Sequence, residues 1–442
     1  MKLIVLLPAL CMSLLVAQIP QLELVKEAQF PVITHPNGDL VGTSDVWAWM
    51  SPDGEEYVLA GVKDGLAIIR ASDMEILFTV DGPRMNDYYY HRDIKTYGSY
   101  AYVSSEMRGI DEGIQVIDLS DLPNQVTLVK SLTDQTITSH NLTIDTASQR
   151  AYITGSTNEG VFIYDLFRPY DPLAIGYLPE ISVHDVYARN DTLWVANGTD
   201  YSIWDMSDHT DPQLIVRIED PDFGYCHNIW PSKNGRYFVT TEETAGKTVK
   251  IWQMDTNGGV GIESEFLAPN GLVHNAHIEG DSLYLAHYTS GVVVVDISAP
   301  WSPTAVAQYD TYLLNDTAAF HGCWGVYPHS PSGYIYASNF EGTVQKFRFP
   351  GTSSIEGGSG ELPVLLFPNP GNSPAIGFSL KKAGNVSLRW MDAQGRSLES
   401  ENEFLGAGSH RLTVEAEGWP SGSYLYVLET EEGVARGSWL KK

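Results

Sequence analysis

The chain has 442 residues and is acidic, with 27 Lys and Arg against 55 Asp and Glu for a net charge of −28. Such a surface repels phosphate backbones, which argues against a nucleic-acid partner and against docking on anionic lipid; it suits a soluble exported protein, with attraction of cations as the alternative role. Three cysteines in all are too few for a disulfide framework.

Residues 1–17, MKLIVLLPALCMSLLVA, carry one Lys, a long apolar run and a small residue before Gln18, the pattern of a secretory signal peptide. Cys11 follows Leu10 rather than a small residue, which argues against a lipid anchor there. No later segment reaches the roughly 18 apolar residues of a membrane span. Next comes LELVKEAQF at 22–30, which alternates like a strand but has no repeat of its own.

Asp45, His91, His140, His184, His227, His274 and His321 then each open a similar segment, at spacings of 43 to 49 residues. Each unit also holds a short apolar run, Gly-led in most units, such as GLAIIRAS from Gly65, GIQVIDLS from Gly113 and GVVVVDIS from Gly291. With flanking strands such as AYVSSE from Ala101 and EILFTV from Glu75, every unit reads as four strands and no helix. Four-stranded units repeated at this period predict an all-β chain with a seven-bladed β-propeller over 18–350. Unit 7 stops after its third strand at Phe349, so residues 22–30 are expected to supply its fourth strand and close the ring. Cys226 and Cys323 open units 5 and 7 and face the same channel, which leaves a bridge as the alternative, but two units of separation favour buried free thiols.

Residues 351–361, GTSSIEGGSGE, read as a flexible Gly/Ser linker. From 362 to 442 the alternation resumes and predicts a small antiparallel β-sandwich. That stretch has 8 basic and 9 acidic residues, so nearly all the net charge belongs to the propeller.

Two resemblances attach to these parts. FPNP at Phe367–Pro370, MDAQGR at Met391–Arg396, GSHRL at Gly408–Leu412, SGSYLYVL from Ser421 and the terminal Lys441 and Lys442 resemble a type A sorting domain of the type IX secretion system. The resemblance implies delivery to the surface of a Gram-negative cell or beyond it, with the secretion machinery and its sorting peptidase as partners of residues 362–442. The propeller is similar to the choice-of-anchor B proteins built from LVIVD-type repeats, through SDVWAW at Ser44–Trp49, HRDIKTYGSYAYVSSE at His91–Glu106, HNLTID at His140–Asp145 and HNAHIEGDSLYLAHYTSGVVVVDIS at His274–Ser298. That family implies no settled reaction.

Because the histidines open innermost strands, ring geometry is expected to gather them at one channel mouth. Imidazole suits zinc, copper, iron and nickel, so His91, His140, His184, His227, His274, His277 and His321 are candidate ligands for a transition metal ion, with His287 nearby and Glu242, Glu243 and Asp185 as candidate carboxylates. Asp45, Trp47, Trp230, Trp324 and Glu242 are candidates for a ligand-binding surface. The bland reading stands beside this one: a polar residue recurring in register satisfies loop backbone, and the Asn or Asp following four of the histidines suits local capping. In unit 7, Trp324 aligns with His227 better than His321 does. No catalytic residue is assignable, since no GxSxG elbow, HExxH helix, Walker loop or CxxC pair is present. The leading reading is therefore an exported binding module for a surface ligand or protein. The alternative is a metal-dependent hydrolase, lyase or oxidoreductase.

Overall fold

A computed structural model of the chain describes residues 19–34, 40–84, 91–155, 160–256, 258–315, 317–349, 362, 364–367, 373–392 and 396–441. The signal-peptide and linker segments lie outside them. The described secondary structure is all strand, without a helix, and among the described residues no helix is long and apolar enough to cross a membrane.

Between residues 22 and 349 the described strands form seven four-stranded antiparallel sheets and one two-stranded pair, Ile33–Thr34 with Leu40–Val41. Their inner strands are Thr43–Met50, Ile94–Tyr97, Leu142–Asp145, Asp185–Arg189, Cys226–Pro231, Ala276–Glu279 and Cys323–Tyr327. Each inner strand packs on the next, and Cys323–Tyr327 packs back on Thr43–Met50, so the array closes on itself as a β-propeller. The seventh sheet takes its outer strand from the other end of the chain: Glu23–Gln29 pairs antiparallel with Thr343–Arg348.

The apolar alternation explains why these sheets must stack. Middle strands such as Glu56–Val62 and Val292–Asp296 are buried on both faces, and their side chains fill clusters shared between neighbouring sheets. Units 1 and 2 share Tyr57, Leu59, Ile94 and Ala101; units 5 and 6 share Val239, Ile251, Leu283 and Val293; units 7 and 1 share Val58, Ala60, Tyr336 and Val344. No sheet buries its faces alone, and the outer strands, half exposed, finish each unit.

Recurring turn chemistry sets the strand ends. The Asp that ends the third strand accepts a hydrogen bond from the backbone two residues on: Asp118 from Ser120, Asp165 from Phe167, Asp205 from Ser207 and Asp296 from Ser298. At the other end Gly291 has φ +73°, and a Cβ there would lie 1.9 Å from the Tyr309 carbonyl oxygen. Gly291→Ala is expected to cost about 2–3 kcal/mol in urea denaturation, from the left-handed backbone plus the displaced outer strand. Gly98→Ala, with φ +57° but open space around it, is expected to cost about 1 kcal/mol.

The C-terminal region is two packed sheets. One joins Val364–Phe367, Ala375–Leu380 and Gly408–Thr413; the other joins Ser397–Leu405, Gly384–Asp392, Gly422–Thr430 and Gly433–Lys441. Trp390, Trp439, Phe378 and Leu428 fill the space between them. This sandwich rests on the propeller: Ala375 is buried among residues of units 6 and 7, and Arg411 Nη1 lies 3.1 Å from Glu279 Oε1. Glu279 ends its inner strand, five residues beyond His274, or about 16 Å at the usual strand rise. The sandwich therefore sits toward the channel end opposite the histidines.

Candidate functional site

Six aromatic rings from six units close a circle around one channel mouth. His91 stacks on His140 with centroids 3.9 Å apart; His140 to His184 is 4.1 Å, His184 to His227 is 4.2 Å and His227 to His274 is 4.4 Å. Trp324 completes the circle, 4.4 Å from His274 and 5.2 Å from His91. His321 is not in it: its ring stacks on Tyr312 at 4.7 Å and its Nδ1 lies 3.3 Å from Glu341. The reason is a β-bulge. Pairing slips between Cys226 and Asn228 and again between Cys323 and Gly325, so His227 and Trp324 are the equivalent bulged residues turned to the mouth.

Most of the Asp and Asn near the ring do more than local capping. Asp185 Oδ1 does accept from the adjacent Val186 N at 2.7 Å, and Asn275 Oδ1 is buried without a hydrogen-bond partner, but the others reach the next unit: Asp45 Oδ2 accepts from Ile94 N at 3.0 Å, Asp93 Oδ2 from Leu142 N at 2.8 Å and Asn141 Oδ1 from Val186 N at 3.2 Å. Asp185 Oδ2 accepts from Asn228 Nδ2 at 2.6 Å, and Asn228 Oδ1 from Ala276 N at 3.2 Å. This belt laces inner strands together, so Asp45 holds units 1 and 2 in register. Burial lifts the Asp45 carboxyl well above its ordinary range and Asp185 to about 6. Lys95, missed in sequence because it is one lysine in a strand, stands among them with Nζ 2.6 Å from Asp93 and 3.7 Å from Asp45.

Trp47 and Trp230 belong to a second tier further down the channel. Trp47 donates from Nε1 to Thr96 Oγ1 at 3.1 Å and packs on Tyr327 at 4.7 Å. Trp230 packs on Tyr187 at 4.3 Å and on His277 at 4.1 Å. His277 thus stands with His329, whose Nε2 is 3.2 Å from His277 Nδ1 and whose Nδ1 is 2.7 Å from Glu279. It is no neighbour of the upper ring. His287 is buried, and its imidazole is pushed down to about 4 by desolvation.

Within the ring, hydrogen bonds fix tautomers. His184 Nδ1 donates to the His227 carbonyl at 3.1 Å, and His274 Nδ1 donates to the Trp324 carbonyl. Neutral rings so held keep Nε2 as the lone-pair nitrogen. Burial holds His91, His184 and His227 well below the ordinary imidazole range and His274 at about 3. His140 alone is raised, where the Glu106 carboxylate 2.7 Å from its Nδ1 outweighs the cost of burial.

Glu243, rather than Glu242, reaches this cluster. Its Oε1 lies 3.8 Å from His227 Nε2 and 4.0 Å from His274 Nε2, and Tyr288 donates its hydroxyl to the same oxygen. Glu242 is fully buried inside unit 5, where it accepts from Lys250 Nζ and from Gly224 N at 2.5 Å. Adjacent residues at a strand end face opposite ways, so sequence offered both acids and only register chose between them. Tyr225, 43 % exposed, presents its ring edge to His184 at 5.1 Å and marks the outer rim. Cys226 and Cys323 are free and buried, and burial pushes Cys226 up to about 12.

The LVIVD repeat family model matches residues 90–134 and 270–311, which are LVIVD repeats and correspond to units 2 and 6. No curated protein matches the chain. Among solved structures it is similar to a Kuenenia stuttgartiensis hydrazine synthase chain, with TM-score 0.51 and 15 % identity over 72 % of this chain and 97 % of that one. It is also similar to the Cps50 (Swd1) β-propeller domain of Myceliophteria thermophila, with TM-score 0.50 and 11 % identity over 73 % and 99 %. At such identities the likeness establishes the β-propeller fold and no chemistry.

Proposed function

We propose that this protein is an exported seven-bladed β-propeller of the choice-of-anchor B kind, acting as a binding module whose ligand sits at the imidazole-lined mouth. The observation that carries the reading is the convergence of five histidines and a tryptophan from six units on one mouth, rimmed by Tyr225, Glu106 and Glu243. The sandwich rests toward the other channel end through Arg411 and Glu279, which leaves the ring mouth as the approach. Neutral imidazoles, aromatic faces and nearby carboxylates suit a small polar ligand or a side chain of a surface protein.

The test is a thermal-shift screen of sugars, carboxylates and phosphorylated small molecules against the wild type and a Tyr225→Ala, Glu106→Gln double variant. A compound that raises the wild-type melting temperature and leaves the double variant unmoved supports the mouth. Equal shifts in both place the binding elsewhere and overturn it.

Residues 362–442 serve in this reading as a type A sorting domain, handing the protein to the type IX machinery for display on, or release from, a Gram-negative cell. In a host carrying that machinery, the full chain is expected on the surface or in the medium by immunoblot. A chain ending at Phe349 is expected to stay in the periplasm, and its export would sink the address.

A further inference from the structure

We propose that His227, His274 and Glu243 form a three-ligand site for one divalent transition ion of the zinc class, with a coordination position left open at the mouth. This deepens the binding-module reading and rests on it, by naming the ion that sits where the ligand arrives.

Convergence of donor atoms comes first. Among the described residues these three form the one group whose ligand atoms all lie within 4.8 Å of one another. The imidazole nitrogens stand 3.8 and 4.0 Å from the Glu243 oxygen. Tetrahedral bonds of about 2.0–2.1 Å place ligand atoms about 3.3 Å apart, so the pairs have to close by about 0.5 to 1.5 Å, within reach of side-chain rotation.

Orientation points the same way. His274 Nδ1 is spent on the Trp324 carbonyl, which locks Nε2 as the donor aimed at the site; such outer hydrogen bonds are the usual support of a metal-ligating imidazole. Tyr288 orients Glu243 by donating to its Oε1. His227 Nδ1 is buried with no hydrogen-bond partner, which leaves that ring turned by packing between His184 and His274 rather than by a polar contact of its own.

The donor set selects the ion. Two imidazoles and one carboxylate suit zinc, cobalt, iron or manganese, whereas calcium and magnesium prefer oxygen alone. Three protein ligands are the count of an open site, not of a closed structural one. Glu243 and His140, each 16 % exposed in the side chain, border the approach, and a water or an anionic ligand fills the remaining position.

The test uses tag-free residues 19–442, stripped with chelator, dialysed and titrated with zinc in competition with a chromophoric chelator, with cobalt as the spectroscopic probe. The wild type is expected to take one equivalent. His227→Ala and His274→Ala are each expected to lose at least about 100-fold in affinity and Glu243→Gln about 10- to 100-fold, while His321→Ala stays unchanged. Cobalt is expected to give visible bands of four- or five-coordination that Glu243→Gln shifts. No uptake of zinc or cobalt by folded wild type overturns the site, as does equal affinity in both histidine variants. Where an alanine variant loses its fold, the nearly isosteric Glu243→Gln decides, and unchanged affinity and spectrum there overturn the proposal. A metal-free protein that still shows Tyr225-dependent ligand shifts removes the ion and leaves the binding module standing. Zinc bound without any such ligand does the reverse.

Discussion

A chain that starts at Val32 is expected to lose its cooperative thermal transition or to melt more than about 15 °C below the chain that starts at Ile19. The deleted segment is the outer strand of the seventh sheet, paired from Glu23 to Gln29 with Thr343–Arg348. It also clips units 6 and 7 together, because Leu22 N donates to the Gln308 carbonyl at 2.6 Å and Gln308 N donates to that of Pro20 at 3.0 Å. Leu22 and Ala28 are buried, and Phe347 and Val344 beneath them are fully buried. Losing these contacts removes on the order of 5 kcal/mol at about 1.5–3 kcal/mol per large apolar side chain, against a total stability of about 5–15 kcal/mol. The bared strand also offers its unpaired backbone to another copy. Differential scanning calorimetry with light scattering reads both effects; an unchanged transition in a monodisperse sample would show that the ring holds without its closure.

Arg92→Met is expected to destabilise the propeller by about 3–5 kcal/mol while leaving the ring of rings intact in any molecules that fold. Arg92 is fully buried between units 1 and 2. Its Nε donates to the carbonyls of Val62 at 3.1 Å and Gly65 at 3.0 Å, Nη2 to that of Pro83 at 2.9 Å, and Nη1 to Ser105 Oγ at 3.1 Å. Methionine fills the stem of the cavity and removes the guanidinium from the three carbonyls, each loss costing about 1–3 kcal/mol, whereas Ser105 Oγ still accepts from Met107 N at 3.1 Å. Lysine supplies one point of charge where a planar fork is needed, so Arg92→Lys is expected to recover only part of the loss. Urea denaturation of the three proteins measures the series. A loss under about 1 kcal/mol for Arg92→Met would mean that water replaces the guanidinium without penalty.

The role of Arg92 shows where sequence reasoning reached and where it stopped. His91, Arg92 and Asp93 are consecutive, yet they split three ways: His91 into the ring, Arg92 into the seam with unit 1, and Asp93 across to Leu142 of unit 3. Neighbours in a strand or its approach point to different sides, and what lies on each side belongs to segments about 45 residues away in this repeat. The same limit explains the second tier, since His277 looked like a partner of His274 in the chain and instead packs with Trp230 and His329.

By itself the sequence determined the all-β repeat and its turns, because period-two apolar alternation, Gly at strand starts and Asp at strand ends are local signals that act within a few residues. It also placed five of the six rings at one mouth, since equivalent positions of a repeat occupy equivalent places. The alignment of Trp324 with His227 already pointed to the sixth ring, while His321, also a candidate, stands outside the circle. Packing between units decided that Glu243 and not Glu242 faces the circle, and that Asp45, Asp93, Asn141, Asp185 and Asn228 lace one unit to the next. Each of those outcomes turns on a one-residue bulge or on strand register, and register is fixed only when neighbouring sheets bury their faces against each other.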